Sequence, residues 1–275
     1  MAKDIYLDRV VPESGEVDSR SGQKDYGRIL NRLFQKRVFS VRDPNNANTV
    51  LGPLVPSIDD KIYLTPGESY SFATPVVQLG DSPRFLGIRS EDRDDGGFEN
   101  TDMVAMIKDR TGPAFHFVRR TELVNISISD RFPKKRGPEI LRFSGSESGT
   151  VLTIGCGSYL VESFAVVTEQ PEIAITNSAF SGEGTALEAR GACRRVVYSS
   201  NLNHGDPRAV KISSPQCKVE MQYNTIDIGS QLLWQTGDVL DGSVIAYNAC
   251  HSHRPGMDSL PENGHYIYIE GAVSA

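Results

Sequence analysis

Ile173-Ala174-Ile175-Thr176-Asn177-Ser178-Ala179-Phe180 decides the reading of this chain, because the pattern comes back three times. The copies are Arg195-Val196-Val197-Tyr198-Ser199-Ser200-Asn201-Leu202, Val219-Glu220-Met221-Gln222-Tyr223-Asn224-Thr225-Ile226 and Ser243-Val244-Ile245-Ala246-Tyr247-Asn248-Ala249-Cys250. Ile175, Val197, Met221 and Ile245 recur at steps of 22, 24 and 24 residues, and Phe180, Leu202, Ile226 and Cys250 recur at the same steps. A second short strand follows each copy: Thr185–Ala189, Arg208–Ser213, Gln231–Gln235 and Tyr266–Glu270. An interval of this length holding two or three short strands is the period of a β-solenoid. Asn177, Asn201, Asn224 and Asn248 fall near the turn in each copy. Asn tolerates left-handed backbone and can bond the neighbouring coil, so an Asn turn ladder is expected. Arg195 breaks the apolar pattern of the first strand. Either that face opens there or the register shifts by one.

Strand alternation then sorts the second strand. Leu187, Val210 and Leu233 are 23 apart and apolar, which places them inside. Glu188, Lys211 and Trp234 then share an outward column, one coil apart at about 4.8 Å. Tyr268 extends it beyond the insertion His251–His265. A carboxylate, an ammonium, an indole and a phenol in line suit a sugar chain, since aromatic faces stack on sugar rings and charges bond hydroxyls or uronates. These four residues are the candidate glycan-binding set. The plainer alternative is a cross-coil Glu188–Lys211 ion pair worth under about 1 kcal/mol, with Trp234 packed inside or against a neighbouring subunit.

Upstream the chain is less regular. Tyr26, Ile29, Leu30, Leu33 and Phe34 make one apolar stripe on a helix within 24–38, with Arg28, Asn31, Arg32 and Lys36 on the solvent side. It is read as a cap on the edge of the core. Short β-branched or aromatic runs follow, including Lys61–Leu64, Ser71–Leu79, Arg84–Ile88, Ala114–Val118 and Val124–Ser129. The 25 Gly and 15 Pro among 275 residues punctuate them. Residues 1–23 are polar, show no period and read as an N-terminal arm. Cys156, Cys193, Cys217 and Cys250 form no C-x-x-C pair and read as reduced, mostly buried thiols.

Composition excludes some classes. A net charge of −6 disfavours a general nucleic-acid binder. No apolar run is long enough to span a membrane. The first residues carry no apolar signal region, so synthesis in a cytoplasm is expected. The chemistry of an active site is also missing. No two carboxylates share an outward column in adjacent coils, as paired acid catalysis requires. The acidic run Glu91-Asp92-Arg93-Asp94-Asp95 reads as a solvated turn. His251, His253 and His265, with Asp258 and Glu262, read as a polar loop rather than a metal site. No catalytic residue, metal or cofactor is expected.

The order of a capping helix, then Ile62-Tyr63-Leu64-Thr65-Pro66-Gly67-Glu68-Ser69-Tyr70, then stacked coils with Asn turns, resembles the right-handed parallel β-helix proteins of the pectate-lyase type, and among them phage tailspikes and particle appendages. The resemblance covers roughly residues 24–270. It implies an all-β, single-stranded right-handed parallel β-helix of roughly eight coils over residues 24–275, about 40 Å long. An uncovered strand edge at its end invites association, and the resemblance implies a homotrimer. It also implies a structural spike or decoration component of a phage-like particle, located at the particle surface. Such a component would be attached to other particle proteins through residues 1–23 and in contact with host surface polysaccharide. The alternatives are a polysaccharide lyase or glycoside hydrolase of the same fold, and a carbohydrate-binding bacterial solenoid.

Overall fold

The four copies stack. A computed structural model describes residues 2–18, 21–93, 101–108, 111–131, 139–159, 164–227, 232–236, 238–251 and 267–269. Its regular structure is nearly all β, with one α-helix, and forms a parallel β-solenoid of about six turns. Each turn has three faces. The first carries Glu172–Thr176, Arg195–Ser199, Gln216–Gln222 and Val244–Ala246. Ala179–Ala189 and Leu202–Ile212 bend to supply both the second and the third face, and Leu233–Gln235 and Ile267–Ile269 continue the third. Two further rungs, from Ser69–Phe72 with Val76–Val77 and Thr101–Ala105 with Phe115–Phe117, extend the second and third faces under the cap. Their first-face strands, Lys61–Leu64 and Arg84–Ile88, belong instead to a separate sheet with Asp4–Tyr6. This accounts for the difference between eight expected coils and about six.

The register departs from the expected columns at one copy. Ile175 stacks on Tyr198, Tyr198 on Met221, and Met221 on Ile245. Phe180 stacks on Asn203, then Ile226 and Cys250. Val197 and Leu202 are each displaced by one residue to the outside, and Leu202 is 44% exposed. The cause is Arg195. In the observed register its guanidinium faces solvent and binds Glu172 (2.5 Å) and Glu220 (3.2 Å). The other register would bury that charge at prohibitive cost.

The corner divides between two positions what was expected of one Asn. Left-handed backbone falls on Asn177, Ser200, Tyr223 and Tyr247, with φ from 48° to 58°. The ladder is built by the next residue. Backbone N–H groups of Ser178, Asn201 and Asn224 donate to the side-chain oxygens of Asn201, Asn224 and Asn248 at 2.9–3.0 Å. The amides of these three Asn residues donate in turn to the carbonyls of Ile175, Tyr198 and Met221 at 2.8–3.0 Å. Asn177 therefore supplies the turn and not the ladder. Inside, Phe85, Phe117 and Phe143 continue the core as a ring stack, with centroids 5.3 and 5.8 Å apart.

The cap is the helix Tyr26–Phe34. Asp25 caps its N-terminus by accepting from Gly27 N–H, and also holds Ala73 and Thr74 of the first rung. Gly27 lies so close to the Thr74 carbonyl that a Cβ would come within 2.1 Å of it, which is where the helix seats on the solenoid. Ile29, Leu30, Leu33 and Phe34 are fully buried. Arg32, expected on the solvent side, is buried as well. Residues 10–17 pass over it, and its guanidinium donates to both oxygens of buried Glu16 (2.8 and 2.9 Å) and to the Val11 carbonyl. The segment read as an arm thus lies against the cap for much of its length, with Ile5, Leu7 and Val10 in the core. At the opposite corner of the first rungs, buried Gln78 accepts from the N–H groups of Val118 and Arg119. The Arg119 guanidinium donates to the carbonyls of Ile58 and Ser82. An antiparallel hairpin, Phe39–Asp43 with Asn46–Leu54, leaves the cap and has no counterpart in the sequence reading.

Candidate functional site

The third face carries the outward column that alternation anticipated. Glu188 pairs in register with Lys211, Lys211 with Trp234, and Trp234 with Tyr268. Leu187, Val210 and Leu233 lie beside them in the core. The column also runs the other way, through Val167 and Arg142 to His116 and Val77. The last three were not legible, because insertions between these turns stretch the spacing to 25, 26 and 39 residues.

Glu188, Lys211 and Trp234 share a column without sharing an exposure. Glu188 is only 5% exposed. One of its oxygens lies 3.3 Å from Lys211 Nζ and accepts from Ser213 Oγ at 3.2 Å; the other lies 3.5 Å from Arg190 Nη1. Arg190 also binds Glu169 at 3.1 Å. Glu188 is thus a buried anchor between two cations, out of a ligand's reach. Its role is to set Lys211, whose ammonium also sits 5.4 Å from the Phe164 ring centre. Trp234 is half-buried, and the exposed Arg208 guanidinium lies 5.2 Å over its ring. The column offers Lys211 and part of Trp234 outward, and Arg208, which the sequence reading missed, reaches over the indole from the neighbouring column. Tyr268 continues the column by backbone register.

Toward the cap, His116 Nε2 is 2.8 Å from Ser144 Oγ, and Arg142 pairs with Glu139. Burial, and then the Arg142 charge, push the His116 pKa below its ordinary value, against the opposing pull of Glu169 and Glu139. The ring is therefore neutral at pH 7.

Glu139, Glu169, Glu172, Glu188 and Glu220 are each bound to an Arg or a Lys. The Arg195 guanidinium holds the Glu220 carboxyl below the usual carboxylate range. None of the four cysteines is in a disulfide. Cys193 and Cys217 touch across adjacent coils in the core, where the Cys193 sulfur and burial raise the Cys217 thiol pKa. Among the described residues, no group of three or more His, Cys, Asp or Glu side chains could hold a metal ion. His253, Asp258, Glu262 and His265 lie outside the described residues. No helix among the described residues is long and apolar enough to cross a membrane.

No family model, no curated protein and no solved structure matches this chain. The third-face column is therefore assessed on its own chemistry. It stacks a cation on an indole, with a second cation lying over the indole ring and a buried carboxylate fixing the first. That arrangement can bind and orient an extended polar ligand. It does not pair a general acid with a base.

Proposed function

We propose that this protein is a structural component of a phage-like particle, of the spike or decoration type, whose third face meets host surface polysaccharide. The reading rests on one observation, the register that stacks Lys211 on Trp234 on the outside of one face, with the strand pairing carried on to Tyr268. Aromatic surface in line with cations complements a sugar chain, the ring packing on C–H faces and the cations meeting hydroxyls or carboxylates. The tailspike-like order of helix, strand, Pro-Gly and coils supports the particle role. Residues 1–23 would join it to other particle proteins, and the solenoids would associate as a homotrimer after synthesis in the host cytoplasm. The protein binds glycan in this reading and does not cleave it.

The test is incubation of the purified chain with host capsular polysaccharide or lipopolysaccharide. Retention by the polysaccharide is expected, reduced by Lys211→Ala and by Trp234→Ala, with no new reducing ends or unsaturated uronates. Turnover that disappears in Glu188→Ala or Lys211→Ala would instead establish the enzymatic alternative. Sedimentation equilibrium is expected to give three times the chain mass.

A further inference from the structure

Tyr223 and Tyr247 occupy the left-handed corner of two successive turns, both at φ 57°. Left-handed backbone is unfavourable for a bulky side chain and tolerable for Asn, which fills the same corner at Asn177. The rings are not compensated by burial: Tyr223 is 61% and Tyr247 is 74% exposed. They lie parallel, one coil apart, with centroids 5.2 Å apart and planes within 7°. Each precedes a ladder residue, in Tyr223-Asn224 and Tyr247-Asn248. The chain thus twice accepts a strained backbone in order to hold an aromatic ring in solvent. Strain of this kind persists where the surrounding structure enforces it, and it gathers at functional sites.

The surroundings define the chemistry. On the first-face side of the corner the outward column is Thr176, Ser199, Gln222 and Ala246. On the second-face side it is Ala179, Leu202, Thr225 and Ala249. Over these four turns neither column nor the corner contains a charge, in a chain of which 23% is charged. An ionic ligand would find no counter-charge in these positions, and Glu220, two residues before Gln222 on the first face, is already held by Arg195 and Lys218. An uncharged sugar finds an aromatic surface for its C–H face, with hydroxyls and an amide beside it for its own hydroxyls. We propose that the Tyr223–Tyr247 corner is a glycan site selective for neutral sugar units, distinct from the charged third-face column and independent of it.

Affinity electrophoresis of the full chain, in gels containing galactomannan, dextran or polygalacturonate, tests this. Retardation by at least one of the two neutral polymers is expected. In the double variant Tyr223→Asn/Tyr247→Asn the corresponding dissociation constant is expected to rise about tenfold, the loss of two ring contacts. Asn relaxes the corner backbone, so the double variant is also expected to melt at or above the temperature of the unaltered protein, which separates lost binding from lost folding. No retardation by either neutral polymer overturns the proposal, as does retardation that survives in the double variant. If the double variant instead loses self-association in sedimentation without any loss of sugar binding, the rings are a subunit contact and the site is refuted.

Discussion

The capped end and the repeat region satisfy buried polar groups in opposite ways. At the cap the solutions are single. Arg32 reaches Glu16 and the Val11 carbonyl, and Arg119 reaches back to the carbonyl of Ile58, 61 residues earlier. In the repeat region one residue type is used once per turn, each Asn bonding the turn before it and receiving from it. A unique buried ion pair gathers much of the local stability into one contact, and a ladder spreads it over many. The two ends should therefore respond differently to single substitutions.

The largest expected effect lies at the cap. Arg32→Ala leaves Glu16 buried without its counter-ion and should lower stability by about 3–5 kcal/mol in urea unfolding. The paired replacement Arg32→Met with Glu16→Leu should recover most of this. A loss below about 1 kcal/mol for Arg32→Ala alone would erase the contrast between the regions, since surface pairs already give that much. Asn224→Ala comes next, at about 1–3 kcal/mol, because it leaves the Asn201 N–H and the Tyr198 carbonyl unpaired. Faster amide exchange at Asn201, with little change at the cap, would locate the loss in the ladder. The smallest effect is at His116, where the cap meets the regular turns. Its folded pKa is depressed, so the folded chain prefers the neutral ring. As pH falls through the unfolded value of about 6.5, the unfolded chain takes up a proton that the folded chain resists, and stability declines until the lower folded pKa is reached. Thermal melts at pH 7.5 and 5.5 should show this decline, and His116→Gln should flatten it.

The same contrast explains what the sequence disclosed. The solenoid was legible because Ile175, Met221 and Ile245 repeat, and the third-face column because Leu187, Val210 and Leu233 hold a constant step. Placement failed by one residue at Val197, where Val and Tyr stand side by side and either can fill a core position. The misplaced charge of Arg195 was the signal that separates the two registers. The burial of Glu188 was hidden because the constant step of Leu187, Val210 and Leu233 fixes which side Glu188 takes and says nothing of Arg190 and Ser213, which bind it there. Arg142 and His116 were lost to uneven insertions. The cap was legible as a helix and no further, because no periodicity announces that residues 10–17 will fold over Arg32. The tyrosine pair did leave a trace, the dipeptide Tyr-Asn recurring 24 residues apart.

The Asn ladder also has a direction. The backbone N–H at each corner is satisfied by a side chain belonging to the following turn: Ser178 by Asn201, Asn201 by Asn224, and Asn224 by Asn248. During synthesis, from N-terminus to C-terminus, the newest corner therefore waits for about 23 more residues before its donor is met. A ribosome-bound chain would carry one unfinished turn at its growing end and finished ones behind it, seated on a cap that was made first. Assembly on the ribosome would then advance turn by turn in the order of translation, with the last turn translated being the last to lock.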